Sequence, residues 1–179
     1  MSDEDLDTTT MDDLLKPGGR EAALARYNQE SGTPGGGTLS LLTLTVEREE
    51  GPSQVRQLDS PEALADTKTN AVVLPEGCHF RVEIGVRVDG GSVDGVMYTS
   101  TQYRKGVKVT QDKQMLGTLR AQTTTQSLLF PRHGWEDAPS GLGLGSYDLK
   151  AQFHNDEGKL LAEFRYALTF KQRDQVPSA

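Results

Sequence analysis

Cysteine is nearly absent: Cys78 stands alone among 179 residues. One thiol excludes an intramolecular disulfide framework and any zinc module built on several cysteines. Histidine is almost as scarce. His79, His133 and His154 are isolated, and no two stand at a metal-ligand spacing. Long apolar runs are missing too. None approaches the ~20 residues of a helical membrane span, and the N-terminus is acidic where a secretory signal is basic and then apolar. Positive charge is in deficit, with a net charge of −7, which argues against a nucleic-acid partner gripped mainly through its phosphates. The expected compartment is the cytoplasm.

What is present is unevenly spread. Asp3, Glu4, Asp5, Asp7, Asp12 and Asp13 give residues 1–15 a charge of −6 with no Lys or Arg, so −1 of the total −7 is left for the rest. Leu, Val, Ile and Phe number 39, and 34 of them fall within residues 38–171. The division this predicts is an acidic, mostly disordered arm over 1–37, a globular body over 38–174 and a tail over 175–179. Within the arm, residues 20–30 are good helix formers, and Leu24 and Tyr27 share a helical face. Three turns are too few to be stable alone in water. Thr33-Pro34-Gly35-Gly36-Gly37 reads as a flexible linker.

From Thr38 the period becomes two. Leu39, Leu41 and the run Leu42–Val46 predict a first strand, and Ser60–Leu64 a short helical turn. Val72-Val73-Leu74 leads into the turn Pro75-Glu76-Gly77. Phe80, Val82, Ile84, Val86 and Val88 alternate with polar residues or glycine, the pattern of a half-buried strand. Val96–Thr101 and Tyr103–Thr110 read as further strands, residues 117–127 as a loop or weak edge, and Leu128–Phe130 as a short strand. Tyr147, Leu149, Ala151 and Phe153, then Phe164, Tyr166, Leu168 and Phe170, make a hairpin about the turn Asn155–Gly158. Short strands at about ten-residue spacing, with no long helix in the body, predict an all-β antiparallel sandwich.

The residues offer little catalytic chemistry. Cys78 has no base beside it in sequence and reads as a buried, inert thiol. Gly141-Leu142-Gly143-Leu144-Gly145 lacks the Lys-Ser/Thr and the helix that a phosphate loop requires. It reads instead as a glycine loop presenting Leu142 and Leu144 to an apolar ligand mouth. Tyr103–Lys108 is a solvent-facing strand or hairpin segment with alternating charges, or an anion patch. No metal, cofactor or enzymatic activity is expected.

Tyr103-Arg104-Lys105-Gly106-Val107-Lys108-Val109 resembles the signature of the Rho GDP-dissociation inhibitors. Gly95-Val96-Met97-Tyr98, Met115-Leu116-Gly117, Ala138-Pro139-Ser140-Gly141-Leu142, Gly145-Ser146-Tyr147 and Leu168-Thr169-Phe170-Lys171 match at the family's order and spacing. The resemblance covers residues 72–171 well and 20–71 loosely. It implies an immunoglobulin-like sandwich that holds the isoprenoid tail of a Rho/Rac-family GTPase, preferably GDP-bound, and an arm that folds on the GTPase switch regions. A cytoplasmic monomer that slows GDP release and extracts the GTPase from membranes, without inserting stably itself, follows from it. By the same resemblance Glu21, Leu24 and Tyr27 of the arm and Asp156 and Glu157 of the hairpin turn face the GTPase. Val72, Phe80, Leu142, Leu144, Leu149, Phe164 and Tyr166 match or neighbour the prenyl pocket.

The sequence departs from the family at telling places. Phe164 and Tyr166 stand where two tryptophans are usual. The Gly-Ser-Tyr-Gly-Pro segment is here Gly117-Thr118-Leu119-Arg120-Ala121, and about two residues are inserted near His133-Gly134-Trp135. Two other readings keep the fold. One is a general carrier of prenyl or acyl chains on lipidated proteins, without switch recognition. The other is an adaptor whose core is filled and holds no cavity.

Overall fold

A computed structural model describes residues 35–176. The expected arm helix near 20–30, with Glu21, Leu24 and Tyr27, lies outside the described residues. Within them the chain runs β1 (Thr38–Arg48), β2 (Gln54–Gln57), α1 (Pro61–Thr69), β3 (Val72–Pro75), β4 (His79–Asp89), β5 (Val93–Arg104) and β6 (Val107–Leu119). It continues through β7 (Gln126–Phe130), β8 (Glu136–Asp137), β9 (Gly145–His154) and β10 (Leu160–Lys171). The strands form an all-β sandwich of two sheets. One has the order β2-β1-β4-β7, with β8 also pairing β4; the other has the order β3-β10-β9-β5-β6.

Period-two patterning explains the core. Phe80, Val82, Ile84, Val86 and Val88 of β4 are all buried, and so are Tyr147, Leu149, Ala151 and Phe153 of β9. They meet Phe164, Tyr166, Leu168 and Phe170 of β10 in the same core. Gly85 lets β1 approach, since a Cβ there would lie 2.4 Å from Thr43 Oγ1. The helical signal at Ser60 is a true N-cap: its side chain accepts from the Ala63 N–H at 3.1 Å, and Pro61 opens the first turn.

The expected all-β sandwich is what the chain forms, with some local differences. One pairing departs from the antiparallel rule, because β3 pairs β10 in parallel with Leu168 opposite Val72. Nearly the whole sandwich lies between those two strands in sequence, so no hairpin constrains their sense. Tyr103–Thr110 is not one strand. Lys105 and Gly106 both have positive φ (51° and 79°) and make a two-residue turn, with Arg104 opposite Val107. The stretch 117–127, expected as a loop or weak edge, combines both: β6, an edge strand, runs to Leu119, a loop follows, and β7 starts at Gln126.

The two long sides of the sandwich are built differently. On one side α1 lies over the edges of both sheets, and buried Thr67 donates to the Gln57 carbonyl at 3.0 Å. Gln54 Nε2 of β2 donates across the sheets to the Val73 carbonyl of β3 at 2.8 Å. On the other side β6 faces β7 and β8, and among the described residues no ladder joins those edges. Arg132 Nη2, just past β7, donates to the Met115 carbonyl of β6 at 2.9 Å.

Candidate functional site

On this second side a slot of about 610 Å³ opens between the sheets, within the roughly 300–1,000 Å³ typical of small-molecule sites. Aromatic pairs from opposite sheets stand towards its two ends. Tyr98 of β5 stacks on Phe130 of β7 with centroids 3.8 Å apart, and Phe80 of β4 meets Phe170 of β10 at 5.8 Å. Between them Val82, Leu149, Tyr166 and Leu168 make an apolar wall. The wall towards the opening is different. Ser100 and Gln102 of β5 pair with Asp112 and Thr110 of β6, and Gln114 pairs with Tyr98; all of them line the slot.

The lip opposite β6 is the β8 segment. Trp135 lies under the Arg81 guanidinium, 4.4 Å from ring centroid to Cζ, and Arg81 is itself held by Glu47 at 2.7 Å. Asp137 pairs with His79 Nε2 at 3.1 Å, while His79 Nδ1 meets Glu49 at 2.6 Å. The hydrogen bond to Glu49 pushes the His79 pKa up despite the counteracting desolvation. His79 thus has a structural role, tying β4 to the residue after β1 and to β8. Glu136 lines the slot from this lip. Desolvation, then the Asp112 and Asp137 charges, push its carboxyl up. Burial pushes Tyr98 up to about 12 and Tyr166 well above the ordinary phenol value, so both phenols stay neutral around pH 7.

One end of the slot is fastened by Arg104. Its Nη2 donates to the Leu144 carbonyl at 2.6 Å and its Nη1 to Tyr147 Oη at 3.1 Å. Tyr147 Oη in turn donates to the Gly143 carbonyl at 2.6 Å. The guanidinium also lies 5.1 Å from the Tyr147 ring centroid. The signature arginine thus points inward and clamps the glycine loop; it is not part of an exposed anion patch.

The residues expected in the pocket divide. Phe80, Leu149 and Tyr166 line the slot together. Phe164 is buried beside it, with its ring 5.6 Å from that of Tyr166. Val72 is buried in β3 on the closed side. Leu144 is half-buried against the core, and Leu142 is 97% exposed on the short 3-10 turn. Asp156 and Glu157 are exposed together in the β9–β10 turn, where Asp156 N–H reaches the Asp94 carbonyl at 3.4 Å. Tyr98, Phe130, Trp135 and the β6 wall line the slot in addition to the expected pocket residues. Alternation through Tyr98 and Ser100 signals an inward face of β5, but nothing local marks Trp135. Cys78 is buried, and desolvation pushes its thiol up, as suits an inert residue. Among the described residues no group of three His, Cys, Asp or Glu could hold a metal ion, and no helix is long and apolar enough to cross a membrane.

Comparison with known proteins gives a consistent picture. A family model described as RHO protein GDP dissociation inhibitor matches residues 12–173. A Dictyostelium discoideum protein provisionally named as a rho GDP-dissociation inhibitor 1 is 37% identical over 134 residues, which is 74% of this chain and 68% of that one. Rho GDP-dissociation inhibitor 1 of Bos taurus and of Homo sapiens are each 33% identical over 132 residues. Those matches take in 73% of this chain and 62% of each mammalian protein.

Proposed function

The chain belongs to the Rho GDP-dissociation inhibitor family, and from that premise we infer that it binds prenylated Rho/Rac-family GTPases in their GDP form. It lodges the isoprenoid tail in the slot, slows GDP release and draws the GTPase off membranes into the cytoplasm. The observation that carries this reading is the slot itself: a cavity of about 610 Å³ between two sheets, open along one side, with Phe80, Leu149 and Tyr166 in its lining. The adaptor reading, which needs a filled core, loses ground for the same reason.

Energetics assign the work. Burying a tail is worth about 0.8 kcal/mol per CH₂, but a bilayer offers the same term. The exchange from membrane to slot is thus close to neutral, and protein–protein contact must tip it. Glu21, Leu24 and Tyr27 of the arm, with Asp156 and Glu157 at the β9–β10 turn, supply that contact. Carboxylates there accept charge-assisted hydrogen bonds from the GTPase. Two linked sites raise the effective concentration of each for the other.

The test compares prenylated with unprenylated Rho-family GTPase, using the full chain and one lacking residues 1–37. The full chain binds the prenylated form at least about tenfold more tightly, a difference of about 1.4 kcal/mol, and slows GDP release. Deleting the arm abolishes both membrane extraction and the effect on nucleotide. Equal binding with and without the lipid sinks the slot's role. Extraction that survives loss of the arm supports the general-carrier reading.

A further inference from the structure

The slot is more polar than a hydrocarbon tail requires. Its apolar wall already accounts for such a tail. Yet the facing wall carries Ser100, Gln102, Thr110, Asp112 and Gln114, all brought to one side by the β5–β6 register. One of these groups is unfinished. Gln114 Nε2 is buried and, among the described residues, has no hydrogen-bond partner. A buried amide donor without an acceptor is unfavourable, and an apolar side chain of the same shape avoids the cost. Gln114 sits on the edge strand that borders the opening, directly across from Tyr98. A ligand entering by that side passes the amide with whatever group joins its tail to the protein.

We propose that Gln114 forms the polar half of the lipid site: on binding, its flexible side chain turns the buried amide into the slot and donates through Nε2 to the carbonyl oxygen of the lipid-bearing cysteine, while the tail lies on the apolar wall. This rests on the reading of the slot as a prenyl site and deepens it. The ligand is not any long hydrocarbon but a thioether-linked lipid with a carbonyl a few bonds from its sulfur. That carbonyl belongs to a methyl ester at a processed C-terminus or to a backbone amide. The two share the acceptor that Gln114 lacks.

Three probes test it on the full chain: S-geranylgeranyl-cysteine methyl ester, the corresponding primary amide, and S-geranylgeranyl-cysteamine, which has no carbonyl. Wild-type protein binds both carbonyl probes about three- to tenfold more tightly than the cysteamine probe, as one neutral hydrogen bond allows. In Gln114→Leu the gap closes to within about twofold. The cysteamine probe keeps its affinity there, which also shows that the variant is folded. A tighter ester than amide assigns the methylated end, and the reverse assigns the peptide. A wild-type gap that persists in Gln114→Leu, or no gap in wild type, overturns the role of Gln114 and leaves the prenyl slot standing. If none of the probes binds wild type, the prenyl reading fails and this inference falls with it.

Discussion

The two long sides of the sandwich use the same alternating strands to opposite ends. At the side closed by α1, β2 and β3, side chains and carbonyls cross from sheet to sheet, and Val72, Leu74 and Thr67 are sealed. At the side bordered by β6, β7 and β8 the sheets part around a slot and are tied by the Arg132–Met115 hydrogen bond. Apolar alternation is continuous through both. Burial of a side chain therefore does not report whether the space beside it is filled. The position of the sheet edges and whether a helix covers them decide that.

The sharpest way to break the comparison is a matched pair of truncations. Leu74→Ala on the closed side removes a fully buried side chain and should cost about 2–5 kcal/mol in denaturant unfolding. Leu149→Ala faces space that is already open, so it should cost less than half as much, about 1–2 kcal/mol. Equal losses would mean that the slot is as tightly packed as the closed side. A smaller effect comes from Arg104→Lys. An ammonium cannot reach the Leu144 carbonyl and Tyr147 Oη with one planar fork. The change should cost about 1 kcal/mol and speed amide exchange in residues 141–147. Unchanged exchange there would remove the clamp from the account of the open side.

Glu136 gives the smallest effect and a sign. Its carboxyl is pushed above the usual range by desolvation first and then by Asp112 and Asp137. The folded chain thus holds that proton to higher pH than the unfolded chain does. Stability from this group is complete below the unfolded carboxyl pKa and is lost as pH rises through the folded one. Glu136→Gln should therefore stabilise the protein near neutral pH and be neutral near about pH 4. The gain should not exceed about 0.5 kcal/mol, because Glu136 is solvent-exposed and its interactions are screened. A variant less stable than wild type at neutral pH would show that the charge is instead welcome at the lip.

What the sequence made legible follows from the same contrast. The strand at Phe80–Val88 and the hairpin from Tyr147 to Phe170 are readable because one face meets the core and the other meets water, so polarity alternates cleanly. Most of β6 was not. From Thr110 to Gln114 one of its faces lines a polar wall and the other meets solvent, which erases the period. At Lys105–Gly106 the sequence leaves strand and hairpin both open, because the turn sits inside a run of strand-forming residues and Gly106 is its one signal. For the pocket, alternation shows that Phe164 and Tyr166 both face inward. It does not show that Tyr166 borders the slot while Phe164 does not. Leu142 reads as a ligand contact from its glycine loop, yet it stands in solvent because Arg104 holds that loop from below.

The parallel pairing of β3 with β10 has a consequence in time. Leu168 meets Val72 although the two stand 96 positions apart in the numbering, whereas β5 and β6 meet through a two-residue turn. The entropy of closing a loop grows with its length, and distant pairings are the slow ones. The open side is thus built on a contact the chain makes early, by itself, as soon as β6 exists. The closed side waits for β10, the last strand among the described residues. In folding order, the firm side of the sandwich is the one completed last.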